Sequence, residues 1–257
     1  MRLCAIFVLV LTLALAGPLA AEPPSAAVRL YAAGQYLAAA DNAANDDSPD
    51  NLAFAARALL AACITGADRD QTERLLDRAE RFARNALTLD PGAIDARLQL
   101  ALVYGMRGRR ASLPEALARN YAPRGRRLIE EARALSPEDA RAYALLGAWH
   151  LEVLRRGGRA GAFAYGARFS DGQAAFERAL TLAPTDPMIP LHYAIALIEL
   201  DEPAHAARAA ELLELTATLP ARDAFEEHAQ QVAAALARVL AQQGPRAAST
   251  LAERLSP

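Results

Sequence analysis

Four positions recur along this chain with fixed internal steps. Ala79, Ala83, Ala86 and Pro91 return as Gly125, Ile129, Ala132 and Pro137, and again as Gly172, Phe176, Ala179 and Pro184. Steps of four and three residues put the first three positions on one face of a helix, and the proline falls just beyond its end. A small residue is needed where two helices cross closely, and a bulky one fills the space beside it. The pattern therefore describes one packing solution used three times, and a chain built that way stacks its units in a row.

Composition agrees with helices throughout. Of the 257 residues 53% are hydrophobic. Most of these are alanine and leucine, strong helix formers, while the β-branched residues that favour strands are sparse. The expected fold class is all-α, a right-handed α-solenoid of helical hairpins. All 28 basic residues are arginine, which reads as a coding habit, and the net charge is −2. So even a balance argues against a nucleic-acid partner, which would need a basic face to neutralise phosphates. Arg107, Arg109 and Arg110 form the densest basic cluster and are read as a solvated surface.

Arg2, an uncharged apolar run from Leu3 to Ala16, a Gly17-Pro18 break and small residues at Ala20 and Ala21 have the layout of a secretory signal peptide. Cleavage is expected after Ala21, with a periplasmic or secreted mature chain. The run is too short for a comfortable membrane span, so membrane contact is expected only through this segment before cleavage. Cys63 is then the one remaining cysteine; flanked by Ala62 and Ile64 with no basic neighbour, it reads as a small apolar core residue.

Turn chemistry divides the rest into a single helical-repeat domain over 22–257. Within it fall a first hairpin at 22–50, repeats at 52–91, 92–137, 138–184 and 185–220, and capping helices at 221–257. The closing helix runs from about Asp223 to Gln243, before a Gly244-Pro245 stop. Asp90-Pro91 and Ser136-Pro137 read as helix starts, each with an oxygen-bearing cap and proline at the first helical position.

Alanine, a bulky residue, alanine and a terminal proline on a second helix resemble the tetratricopeptide repeat. The first-helix positions follow suit: Leu100, Ala101 and Tyr104, then Leu146, Gly147 and His150, then Tyr193, Ala194 and Leu197 stand where that family carries leucine, glycine and tyrosine, the second copy fitting best and His150 and Leu197 departing from the tyrosine. The period departs from it. Pro91 to Pro137 is 46 residues and Pro137 to Pro184 is 47, against roughly 34 for a plain repeat. The surplus lies at about 106–123 and 157–171, and inserts recurring at one place project from one side of the stack. The glycine-rich second insert reads as a flexible segment that Phe163, Tyr165 and Phe169 pack down. Long inserts, with Leu146 to Glu152 and Tyr165-Gly166-Ala167, make the chain similar to the regulator-of-microtubule-dynamics group and its secreted bacterial relatives. It also resembles the periplasmic T-component associated with tripartite solute transporters.

No catalytic, cofactor or metal site assembles from the sequence. His150-Leu151-Glu152 has the H-x-E form of a zinc deaminase, but the two cysteines such a site needs are missing. The four histidines show no i, i+4 pair, and no G-x-S-x-G elbow is present. Placed on the tetratricopeptide pattern, the inner face of the first helices carries Leu98, Leu102 and Met106, then Arg141 and Leu151, then Met188, Leu191 and Ile195. So apolar a face calls for a cover: a protein or peptide partner, a small apolar ligand, or the chain's own inserts and C-terminal helices. The resemblance implies a non-enzymatic interaction scaffold exported to the cell envelope, or alternatively a periplasmic ligand-binding accessory subunit of a solute transporter with an apolar groove or pore.

Overall fold

The computed structural model describes residues 25–66 and 68–255; the export signal expected at 1–21 lies outside them. Thirteen α-helices and no strand occur among the described residues. The first hairpin is α1 (Ser25–Ala32) and α2 (Tyr36–Ala43). Four longer hairpins follow: α3 (Pro49–Thr65) with α4 (Arg69–Leu89), α5 (Ile94–Arg110) with α7 (Tyr121–Leu135), α8 (Ala140–Tyr165) with α9 (Phe169–Leu182), and α10 (Met188–Glu199) with α11 (Ala206–Thr218). A short α6 (Leu113–Ala118) sits inside the second of these, and α12 (Ala224–Gln243) and α13 (Pro245–Leu255) finish the chain.

Side-chain oxygens set the helix starts. Ser48 caps α3 by accepting from the Asn51 amide at 3.2 Å, with Pro49 as the first helical residue. Asp223 caps α12, accepting from the amides of Phe225 and Glu226 at 2.9 Å each. The repeat corners differ from their sequence reading. Asp90 accepts from the Gly92 amide at 2.7 Å, so Pro91 lies in a turn and α5 begins only at Ile94. At the next corner the cap is Asp139, which accepts from the Arg141 amide at 2.9 Å; Ser136 has no such role. An aspartate that folds back on its own backbone holds the chain in a turn and delays the helix.

Each second helix packs on its own first helix, and successive first helices α3, α5, α8 and α10 also touch one another. Successive second helices make no comparable contact. The first helices therefore line the inside of an arc. Its two ends meet: α12 reaches back to α1 and α3, and the Phe225 ring lies 6.3 Å from Tyr31 and 6.2 Å from Tyr36 between centroids. Two large cores, with two small clusters beside them around Leu52 and Leu98, fill the stack and divide at α8, where Leu146, Trp149 and Val153 join the N-terminal core and Leu151 the C-terminal one.

The inserts are helical. Residues 113–118 form α6, and the second insert prolongs α8 through a sharp change of direction at Gly158, whose φ of 53° and ψ of −150° no helix permits. Arg156 fastens α8 to the end of α5 through the carbonyls of Arg109 and Ala111. Tyr165 is half-buried and Phe169 stacks on His205 at 4.5 Å, as expected of residues that hold the insert down. Phe163 does the opposite and stands 93% exposed.

Candidate functional site

The inner face of the arc is less open than its sequence indicates. Leu98 is buried against Ala132 and Ala142, Met106 in the N-terminal core, and Leu151 and Leu191 in the C-terminal core. Arg141 is exposed and pairs with Asp95 at 2.7 Å and Asp139 at 2.6 Å. Helix α13 packs on α10, where Leu251 joins the C-terminal cluster. Among the residues expected to line a groove, Leu102, Met188 and Ile195 are the half-buried apolar ones.

One turn beyond these positions the same helices carry a ladder of charges. Arg109 on α5 donates twice to Glu199 on α10, at 2.5 and 3.0 Å, and to Glu152 on α8 at 3.1 Å. Arg155 grips Glu152 through two bonds of 2.8 Å, approaches Glu199 at 3.8 Å and reaches Glu253 of α13 at 3.6 Å. The Glu199 side chain is only 1% exposed. A carboxylate so buried is tolerable only when it is paired and hydrogen-bonded, so the ladder ties three first helices and the last helix into one frame. Burial opposes the charge on Arg109, but Glu152 and Glu199 outweigh it and hold its pKa above the usual value. Arg155 is raised likewise, first by its hydrogen bonds to Glu152.

The ladder corrects the reading of Arg107, Arg109 and Arg110 as a solvated surface. Arg107 pairs with Asp77 at 2.6 Å and Arg110 with Glu73 at 2.8 Å. A sequence signal for it existed. Glu152 and Glu199 are 47 residues apart, the interval from Pro137 to Pro184, and Arg109 and Arg155 are 46 apart, the interval from Pro91 to Pro137. Each charge thus recurs at one place in successive repeats.

His192 of α10 lies beside the ladder, exposed to solvent yet walled by protein; the loss of hydration there lowers its pKa, Asp186 and Glu199 raise it, and Arg109 lowers it further. His150 and Glu152 do not form one site. His150 is buried and its Nδ1 accepts from the Arg168 amide at 3.2 Å, while Glu152, two residues on and across the helix, belongs to the ladder. Burial and Arg126 lower the His150 pKa. Burial pushes the Cys63 thiol up to about 12, with Arg110 opposing. Among the described residues no group of three or more His, Cys, Asp or Glu is placed to hold a metal ion, and no helix is long and apolar enough to cross a membrane.

The architecture matches a crystal structure of a thermophilic tetratricopeptide protein from Thermus thermophilus. The TM-score is 0.61 at 18% identity, over 83% of this chain and 97% of that one, a likeness of fold. No curated protein sequence matches significantly. The family model for regulator of microtubule dynamics protein 1-3 matches residues 27–241, from the first hairpin nearly to the end of α12. With a match over so much of the stack, the chain belongs to the regulator of microtubule dynamics protein 1-3 family.

Proposed function

We propose that this protein is a non-enzymatic scaffold of the cell envelope, holding a segment of a partner protein against the inner face of its arc. The observation that carries the reading is the pairing of half-buried apolar side chains, Leu102, Met188 and Ile195, with a charge ladder whose members are already bonded to one another. The apolar atoms can gain by further burial, at about 25 cal/mol per Å². The ladder meanwhile keeps the helices that present them from shifting, so little ordering cost falls on binding. The fold supports an interaction role, and the signal-like residues 1–21 support the envelope as its place.

The test is a photo-reactive amino acid placed in living cells at Ile195 on the inner face, and in a second strain at Arg178, which is exposed on α9. A discrete protein adduct from position 195 that is absent from position 178, in the envelope fraction and on a chain cleaved after Ala21, is the expected result. Equal labelling from both positions refutes the inner-face reading. A small apolar molecule co-purifying in place of a protein adduct gives the transporter-accessory reading instead.

A further inference from the structure

The two inserts leave the stack from the same edge, because each joins a first helix to its own second helix and Arg156 of α8 bonds the carbonyls of Arg109 and Ala111, where α6 is about to begin. On that edge Phe163 is 93% exposed, and Leu113 and Leu117, one turn apart on α6, are 49% exposed each. An isolated exposed leucine is ordinary; a phenylalanine almost wholly in water is not. The unpaired charges around it lean basic. Beyond the paired Arg107, Arg109 and Arg110, the inserts at 106–123 and 157–171 contain Arg119, Arg159 and Arg168 against two acids, Glu115 and Asp171, neither of which pairs with them. All three arginines are exposed, and their side chains make no ion pair among the described residues, unlike Arg107, Arg109 and Arg110 nearby.

We infer that this edge rests on an anionic lipid surface, with Phe163 inserted at the headgroup boundary and Arg119, Arg159 and Arg168 set against the lipid phosphates. The segment around Phe163 reads Arg-Ala-Gly-Ala-Phe-Ala-Tyr-Gly-Ala-Arg over 159–168. Its small residues give no relief for a protein partner to interlock with, whereas a bilayer demands only an apolar anchor and basic flanks. Gly158 turns the chain back on α8, so that Gly161 lies against Val153 while Phe163 faces solvent. Contact of this kind is peripheral and leaves the inner face of the arc free. It is a contact additional to the one expected of the signal segment.

The experiment uses the chain lacking residues 1–21, which keeps every described residue, in sedimentation with vesicles of phosphatidylethanolamine and phosphatidylglycerol, or of phosphatidylcholine alone. Binding to the anionic vesicles that weakens with added salt is expected, with little on the neutral ones. Phe163→Ala should lower the partition coefficient about tenfold, and Arg159→Ala or Arg168→Ala about fivefold each. A Phe163→Trp variant should shift its emission to the blue on the anionic vesicles only. Since Phe163 stands almost wholly in water, the melting temperature of F163A should match the parent, which keeps folding apart from binding. No sedimentation with anionic vesicles, or sedimentation indifferent to Phe163, overturns the inference. So does concentration-dependent self-association abolished by F163A without lipid, which would make a second copy the occupant of this edge.

Discussion

Gly147 sets the closest helix crossing among the described glycines, and replacing it measures what the repeat pattern is for. A methyl group there would lie 2.5 Å from Cδ2 of Phe176 and 2.8 Å from Cε2 and Cγ, where carbon contacts settle near 3.5–4.0 Å. The ring would have to retreat by about 1 Å to restore that spacing. It has nowhere to go: Phe176 is fully buried and stacked on Tyr193, 4.6 Å away and tilted by only 7°. Overpacking of this kind costs about 1–3 kcal/mol, while alanine in place of glycine inside a helix returns about 1 kcal/mol. Gly147→Ala should therefore lose up to about 2 kcal/mol, a fall of up to roughly 8 °C in melting temperature for a chain of this size, where the propensity gain alone would have raised it. Gly105, inside α5, is the control, because a methyl there meets nothing within 4 Å. Gly105→Ala should gain about 0.5–1 kcal/mol from propensity alone. Urea unfolding of both variants, with Phe176→Leu completing a cycle for Gly147, checks the sign and the coupling. If G147A is as stable as G105A, the small residue at this position is not there to admit Phe176 and the reasoning fails.

Arg109→Ala takes from the buried Glu199 carboxylate its two shortest charged bonds, at 2.5 and 3.0 Å; a loss of about 3–5 kcal/mol follows, and Arg109→Met with Glu199→Leu should recover most of it. An R109A variant within about 0.5 kcal/mol of the parent would show that the ladder carries no strain of burial. Cys63 should resist iodoacetamide at pH 8 until the chain unfolds, since a pKa near 12 against the usual 9.0 leaves about a thousandth of the thiolate; because the folded value is raised, stability from this thiol is present below pH 9 and declines above it. Rapid alkylation of the native chain would contradict its burial. For His150 the folded value is lowered from 6.5, first by burial, so its contribution is present above pH 6.5 and declines as the pH falls further. His150→Gln should flatten the urea midpoint between pH 7 and pH 5, and an unchanged slope would remove His150 as the cause.

The fold was legible because the residues that decide it act locally. Alanines at steps of four and three, the Asp223 cap and the Gly244-Pro245 stop each carry their meaning within a few residues, and α12 begins and ends where they place it. The corners were displaced by about three residues because an aspartate ahead of proline can cap a helix or close a turn, and only the hydrogen bond from Gly92 to Asp90 decides between them. The site was less legible. Arg109 and Glu199 are 90 residues apart, and no single window contains both. Phe163 was assigned to packing because most aromatics are buried; its exposure depends on the turn at Gly158, which sequence spacing does not disclose.

The closure of the arc bears on how a partner segment reaches the inner face. Opening at the clasp would separate Phe225 from Tyr31 and Tyr36, but the contacts of Tyr31 with Tyr36 at 5.2 Å and with Phe54 at 5.6 Å stay within the N-terminal half. The rings that part are thus few, and each aromatic pair is worth about 0.5–1.5 kcal/mol beyond its area. Parting anywhere else in the stack would expose a whole interface between neighbouring hairpins. The clasp is therefore the weakest seam, and a segment entering sideways should use it. A Cβ built on Gly34 lies 3.3 Å from that of Ala224, close to the roughly 3.5–4.5 Å that a disulfide spans. Gly34→Cys with Ala224→Cys should lock the seam when oxidised, at some cost from the positive φ of 76° at position 34. Capture by the photo-reactive group at position 195 should then fall when the bridge is formed and return on reduction. Capture that ignores the bridge would place entry along the axis of the ring, and the clasp would be a brace rather than a gate.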